Sequence, residues 1–346
     1  MSYPFLRFFL FFFPAEFAHH LSLKSLSLFE KFCLIPFRLK SLECDAFTYK
    51  GLKFKNRIGL SAGLDKNGDH IKPLSKLGFG FIELGTVTPR PQEGNPKPRL
   101  FRIKKSKGII NRLGFNNKGV DYLVENVKKI KDRKYVLGLN IGKNKDTPEN
   151  QAVDDYLICF EKCYAYADYV TINISSPNTP NLRDFQSKEK LHPLLSALKS
   201  AQKKLSQKYQ KNTLLFIKIS PDISLENIKD IMEACLEHQI DGLILTNTSI
   251  QKDLVTEKQK NLDQQGGISG APLFSLSTQI LGEFHALLKK PWEFLLIGAG
   301  GIDSAEKALC KIENGANLIQ LYSGLIYEGP SLLKNILHGI RNYFKK

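Results

Sequence analysis

Along the 346-residue chain, small polar clusters recur, each placed just after a short apolar run. Ser61-Ala62-Gly63-Leu64-Asp65-Lys66 follows one run and Gly85-Thr86 the next, while Asn140, Asn173 and Lys218 close three more. Thr246-Asn247-Thr248, Gly300-Gly301 and Tyr322-Ser323-Gly324 complete the series. Carboxamides carry donors and acceptors together, which suits a cyclic imide. Lys66 and Lys218 bring ammonium groups able to stabilise negative charge on a reduced ring or a carboxylate. Lys218 stands between Ile217 and Ile219, so it is expected to be buried and to need an anionic partner. The glycines at 300–301 and 324, with free N–H groups, suit a phosphate. Two further loops are amide-rich, Asn111-Arg112-Leu113-Gly114-Phe115-Asn116-Asn117 and the stretch from Asn173 to Asn181, stiffened by Pro177 and Pro180. Any one of these residues is explained as well by turn chemistry; their recurrence at eight run ends is not.

The elements that must position them follow from the spacing. Eight apolar runs, Ile58-Leu60, Phe79-Leu84, Tyr135-Asn140, Tyr169-Ile174, Leu214-Ile219, Gly242-Thr246, Phe294-Gly298 and Leu318-Leu321, read as parallel strands covered on both faces. Amphipathic stretches separate them, among them Asp154-Ala165, Leu191-Leu205, Leu225-Glu237, Ser277-Leu288, Ser304-Glu313 and Leu332-Tyr343. Eight βα units predict a closed (β/α)8 barrel, preceded by a short hairpin around Gly51, with the polar clusters gathered at one mouth. A doubly wound open sheet is the alternative, but Gly298-Ala299-Gly300-Gly301-Ile302-Asp303 has Asp where a dinucleotide fingerprint needs its third glycine.

Composition narrows the partners. Fifty Lys+Arg against 34 Asp+Glu give a net charge of +16. The lysines are scattered in short groups without interleaved aromatics, so a solvated surface is favoured over nucleic acid, and an anionic membrane surface stays compatible. Six cysteines show no paired CxxC spacing, so neither a metal site nor a disulfide framework is expected, and a reducing cytosol is the simplest compartment. Residues 3–13 are dense in phenylalanine but too short to cross a bilayer, which needs about 20 apolar residues. No clean cleavage site follows, which argues against a signal peptide. Leu21, Leu23, Leu26, Leu28, Phe29 and Phe32 continue an apolar stripe that suits a helix at a membrane interface or one packed on the main domain. A composition change near Glu43-Cys44-Asp45 divides an extension, 1–45, from a barrel, 46–346.

Taken together, the motifs closely resemble class 2, quinone-dependent dihydroorotate dehydrogenases, almost from end to end. The resemblance rests on Ser61 to Gly68, Glu83 to Pro91, Asn111 to Asn117, Asn140 to Asn144, Asn173 to Pro180, Thr246 to Thr248, Gly266 to Gly270, Gly300 to Ile302 and Gln320 to Gly324, in that order. It implies FMN held by Ala62, Gly63, Leu64, Asp65, Lys66, Thr86, Asn140, Asn173, Lys218, Thr246, Gly270, Gly301, Tyr322 and Ser323. Substrate contacts carried over by motif are Lys66, Asn111, Arg112, Leu113, Gly114, Phe115, Asn173, Asn178, Asn247 and Thr248. Ser176 matches the family's catalytic base, which takes the C5 proton of dihydroorotate as hydride leaves C6. Soluble class 1 relatives use cysteine in that loop, and no cysteine lies between Cys163 and Cys235 here. The resemblance further implies a quinone path lined by His19, Arg102 and Tyr322, with ubiquinone or menaquinone as acceptor. It also implies a peripheral place on the cytoplasmic face of the inner membrane, with lipid contact through the extension, and a monomer.

Overall fold

The structure is a computed structural model describing residues 3–32, 46–290 and 292–344. An antiparallel hairpin, β1 (Phe47–Tyr49) and β2 (Leu52–Phe54), turns at Gly51, whose φ of +85° explains the glycine. Then come β3 (Ile58–Leu60), β4 (Phe81–Val87), the pair β5 (Leu100–Ile103) and β6 (Gly108–Asn111), and β7 (Val136–Ile141). After them follow β8 (Tyr169–Asn173), β9 (Leu214–Ile219), β10 (Gly242–Leu245), β11 (Gly267–Gly270), β12 (Leu295–Ala299) and β13 (Leu318–Leu321). Strands β3, β4, β7, β8, β9, β10, β12 and β13 are parallel neighbours in that order, and β13 pairs with β3 to close the barrel. The expected closed barrel is therefore what forms, from all eight expected runs. The fourth element, β4, starts later and runs further than its apolar run, because Gly80 still belongs to the turn in which its N–H meets the Ile58 carbonyl.

The helices at the amino end are α1 (Tyr3–Leu10) and α2 (Ala15–Lys31). On the barrel lie α3 (Ile71–Ser75), α4 (Val120–Lys128), α5 (Ala152–Tyr164), α6 (Lys188–Tyr209) and α7 (Leu225–Glu237). The circuit ends with α8 (Phe274–Ala286), α9 (Ala305–Glu313), α10 (Ser323–Glu328) and α11 (Ser331–Tyr343). Ser224 and Ser304 cap α7 and α9, each hydroxyl accepting a backbone N–H three residues on.

The end of the barrel away from the mouth is packed by Phe54, Phe81, Tyr169 and Phe216, with β1 and β2 as its plug. Tyr49 fastens the plug, its hydroxyl meeting the Asp241 carbonyl at 2.8 Å. Glycines oppose the rings: a Cβ on Gly138 would lie 2.1 Å from Tyr169 Cζ, and one on Gly59 2.2 Å from the Phe81 ring. Large and small residues thus interdigitate in one layer.

Helices α1 and α2 dock on the barrel through polar anchors. The Arg99 guanidinium binds Glu16 at 2.7 Å, Lys76 binds Glu30 at 2.5 Å, and the Tyr3 hydroxyl donates to the Ile326 carbonyl at 2.6 Å. Their outer face leaves Phe5, Phe8, Phe9, Phe12, Phe13, Phe17 and Phe29 exposed. No described helix is long and apolar enough to cross a membrane. The boundary expected near Glu43-Cys44-Asp45 lies outside the described residues.

Because the Tyr169 ring has no room to retreat, Gly138→Ala is expected to cost about 1–3 kcal/mol. A urea titration should show a lower midpoint at unchanged slope; an unchanged midpoint would mean the layer is loosely packed.

Candidate active site

The carboxyl ends of the barrel strands open into one cavity. A three-stranded antiparallel sheet roofs it, in which β6 pairs with both β5 and β11. The cavity wall brings together Ala62, Gly63, Lys66, Thr86, Asn111, Leu113, Gly114, Phe115, Asn173, Ser176, Asn178, Lys218, Thr246, Asn247, Thr248, Gly270, Gly301, Tyr322 and Ser323. These come from every barrel strand end but that of β7, and from the roof.

Below the cavity a buried carboxylate organises the floor. Glu83 on β4 is fully buried and accepts from Asn140 Nδ2 at 2.8 Å, Gln320 Nε2 at 2.8 Å, Tyr169 OH at 3.1 Å and Thr171 Oγ1 at 3.3 Å. Asn140 does not line the cavity. Its Oδ1 instead accepts from Thr86 Oγ1 at 2.6 Å and Asn173 Nδ2 at 3.2 Å, fixing two residues that do. Lys218 donates to Ser61 Oγ at 3.4 Å, and Ser61 Oγ donates to Gln320 Oε1 at 3.2 Å, which joins the ammonium to the same network. Burial pulls the Lys218 pKa down and the Glu83 charge opposes it.

Above the floor, one side of the cavity is a ring of carboxamides. Asn173 Oδ1 accepts from Ser175 Oγ at 3.0 Å, which in turn accepts from Asn247 Nδ2 at 3.0 Å. Asn178 Nδ2 reaches the Asn111 carbonyl at 3.2 Å, tying the strand-eight loop to the roof. Ser176 is buried beside them, its Oγ accepting the Asn178 N–H at 3.2 Å. Lys66 Nζ donates to the Gly63 carbonyl at 3.1 Å. Burial, then the nearby Arg99 charge, bring its pKa down to about 8.

The far side of the cavity is a glycine cradle. Gly300 and Gly301 have φ of +101° and +76°. A Cβ on Gly301 would lie 2.5 Å from Phe274 Cα, and one on Gly270 2.3 Å from the Lys107 carbonyl oxygen. Glycine lets the backbone pack directly on Phe274 and Lys107 at these positions, and both loops line the cavity with main chain, an arrangement suited to a phosphate.

The sequence profile of the family described as Dihydroorotate dehydrogenase matches residues 46–344. A protein of Acinetobacter baumannii named Dihydroorotate dehydrogenase (quinone) is 50% identical over 340 residues, covering 98% of this chain and 100% of its own length. One of Coxiella burnetii with the same name is 49% identical, covering 97% and 96%. The chain belongs to the dihydroorotate dehydrogenase family.

Solved structures of the family agree. The ligand-free DHODH of Eimeria tenella superposes with a TM-score of 0.85 at 36% identity, covering 94% of each chain. The form in complex with ferulenol gives 0.84 at 35%, covering 95% of this chain and 91% of its own.

Several residues expected at the site of a dihydroorotate dehydrogenase lie just outside the cavity wall. Leu64 packs into the core, and Asp65 accepts the His70 N–H at 2.7 Å, which holds the loop before α3. Arg112 is engaged on the rim by Gln264 at 3.2 Å and the Pro98 carbonyl at 2.9 Å. Arg102 donates to the Phe13 carbonyl at 2.8 Å and lies 4.4 Å from the Phe11 ring centroid, so it ties the roof to the extension. His19 on α2 is half-buried, and burial, with the positive Lys66, holds its pKa down to about 3, so it is neutral at pH 7. Of the three expected quinone-path residues, Tyr322 alone touches the cavity. There a Cβ on Gly63 would meet its ring at 3.3 Å, and burial pushes its pKa up to about 12.

Sequence reasoning passed over Glu83, Gln320, Ser61 and Ser269. Glu83 and Gln320 carried the same signal as Lys218, a polar residue inside an apolar run. Glu83→Ala removes the acceptor of two carboxamide N–H groups, a phenol and a threonine hydroxyl and is expected to cost about 3–5 kcal/mol. Chemical denaturation measures this; a loss under about 1 kcal/mol would mean water replaces the carboxylate.

Proposed function

We propose that this chain oxidises dihydroorotate to orotate with FMN as the hydride acceptor and passes the electrons to a membrane quinone, the redox step of pyrimidine synthesis. The observation that carries it is convergence: Ser176, Lys66, Lys218 and the asparagine ring face one cavity whose opposite wall is a glycine cradle. A flavin phosphate fits that cradle, and the buried Lys218 with its Ser61 and Gln320 relay fits beneath the ring. Gly270, Gly301 and Ser323 would hold the phosphate, while Ala62, Gly63, Thr86, Asn173, Lys218, Thr246 and Tyr322 would border the rest. Asn140 supports them from behind. Bound there, FMN supplies a hydride acceptor.

The protein's own part is orientation and proton transfer. Lys66 offers an ammonium to the substrate carboxylate, and Asn111, Asn173, Asn178 and Asn247 supply the mixed donors and acceptors that a pyrimidine ring needs. Ser176 Oγ takes the C5 proton as the hydride leaves C6. The Asn178 N–H at 3.2 Å aims that oxygen and stabilises charge building on it. Among the described residues no carboxylate or imidazole hydrogen-bonds to Ser176, so its proton passes to water, and the serine works without a paired base.

The extension, residues 1–45, is proposed as the membrane-facing part of an otherwise 46–346 barrel domain. Its exposed phenylalanines suit insertion at the interface of the cytoplasmic leaflet, with ubiquinone or menaquinone entering between α1, α2 and the barrel, past His19 and Tyr322. The chain would act there as a peripheral monomer.

Two experiments test this reading. Ser176→Ala should slow flavin reduction by dihydroorotate by roughly 10²–10⁴-fold while the purified protein stays yellow; anaerobic stopped-flow absorbance reads both, and unchanged bleaching would remove the serine from the mechanism. Deleting residues 1–40 should leave that half-reaction intact but lower quinone turnover by about tenfold or more. Undiminished turnover with a long-chain quinone would refute the entry path.

A further inference from the structure

The reaction as derived leaves the buried cation of Lys311 unused. Lys311 on α9 is fully buried, yet among the described residues no carboxylate lies within ion-pair distance of its ammonium. Its Nζ donates to Ser277 Oγ at 2.7 Å and lies 5.4 Å from the Phe274 ring centroid. The neighbouring Lys307 approaches the same ring but is neutralised by Asp303 at 2.8 Å. An ammonium buried without a counter-charge is costly, so its retention calls for an anion that this chain does not itself provide.

The place of that anion follows from what Lys311 touches. Ser277 Oγ faces two carbonyl acceptors, Phe274 at 3.1 Å and Gly300 at 3.2 Å. A Cβ on Gly300 would meet that same hydroxyl at 2.7 Å, and one on Gly301 would strike Phe274. Lys311, Ser277 and Phe274 are thus the wall directly behind the two glycines of the cradle. We propose that Lys311 is the buried counter-charge of the flavin phosphate, a positioning residue that acts through Ser277 and the Gly300-Gly301 loop and makes the site prefer FMN over an unphosphorylated flavin.

The proposal rests on the flavin reading above. A phosphate monoester carries about −1.5 to −2 charges at neutral pH, and backbone N–H groups alone offer it only partial positive charge. A full charge behind the loop, shielded from salt by burial, supplies the remainder. Burial alone brings the Lys311 pKa down to about 7, so an anion in the cradle is also what keeps it charged.

The test compares two ligands on the full chain. Native protein, Lys311→Met and Ser277→Ala are stripped of flavin and titrated with FMN and with riboflavin, which has the same ring and no phosphate, following flavin fluorescence. Lys311→Met is expected to bind FMN about tenfold more weakly or worse, with riboflavin affinity held within about twofold; Ser277→Ala should show a smaller loss in the same direction. Retained riboflavin binding reports an intact fold, and Lys311→Gln stands in should the apolar variant not fold. Native FMN affinity in Lys311→Met, or equal losses for both ligands, would overturn the proposal. A native chain that binds riboflavin as tightly as FMN would overturn it through the phosphate assignment, and one that binds neither would do so through the flavin reading itself.

Discussion

One carboxylate, fully buried inside the barrel, constrains everything above it. Glu83 projects from β4 into the buried interior, and four side chains from β7, β8 and β13 turn donors toward it. Such a group is tolerated only when its hydrogen bonds are met, and they are met only in one register of the closed barrel. The same bonds orient Asn140 and Gln320, which in turn fix Thr86, Asn173 and Ser61. The cavity floor is therefore set before any ligand arrives. Lys218 depends on this arrangement too, because its charge is balanced by the Glu83 field and relayed through Ser61 rather than through a direct ion pair.

That dependence explains what could be read in advance. A parallel strand covered on both faces leaves a continuous apolar run, and β3, β9 and β13 begin and end where their runs do. Polar residues at run ends marked the mouth for the same reason, since a closed barrel has only two ends at which they can meet water. Lys218 announced its need for an anion, but not which one, because Glu83 lies on a strand 135 residues away in sequence order and no local rule pairs them. The roof sheet was illegible for a related reason: β5, β6 and β11 are four residues each, and the Gly267 to Asn111 pairing joins segments with no shared periodicity. Asn111 accordingly read as a loop residue when it ends a strand.

The extension shows two surfaces whose roles the apolar stripe alone could not separate. Its inner side is held by charge, Arg99 on Glu16 and Lys76 on Glu30, and its outer side is nearly all phenylalanine. Leu23 also joins the core cluster of the barrel and Leu26 packs against it, so α2 docks by apolar burial as well as by charge. The exposed rings contact one another, Phe5 with Phe9 and Phe8 with Phe12, and form an apolar patch of the kind that marks an interaction surface.

The roof links the two chemistries. Arg102 on β5 holds the Phe13 carbonyl, Tyr327 reaches the Gly108 carbonyl on β6, and Asn178 reaches Asn111 at the end of the same strand. One thin sheet thus carries contacts to the extension on one side and to the Ser176 loop on the other. Lys66 stands between them, donating to Gly63 inside the mouth, while burial first and the Lys66 charge second lower the pKa of the His19 imidazole on α2. His19 is therefore neutral at pH 7, and the roof, which contacts both the extension and the Ser176 loop, keeps the spacing of the two fixed.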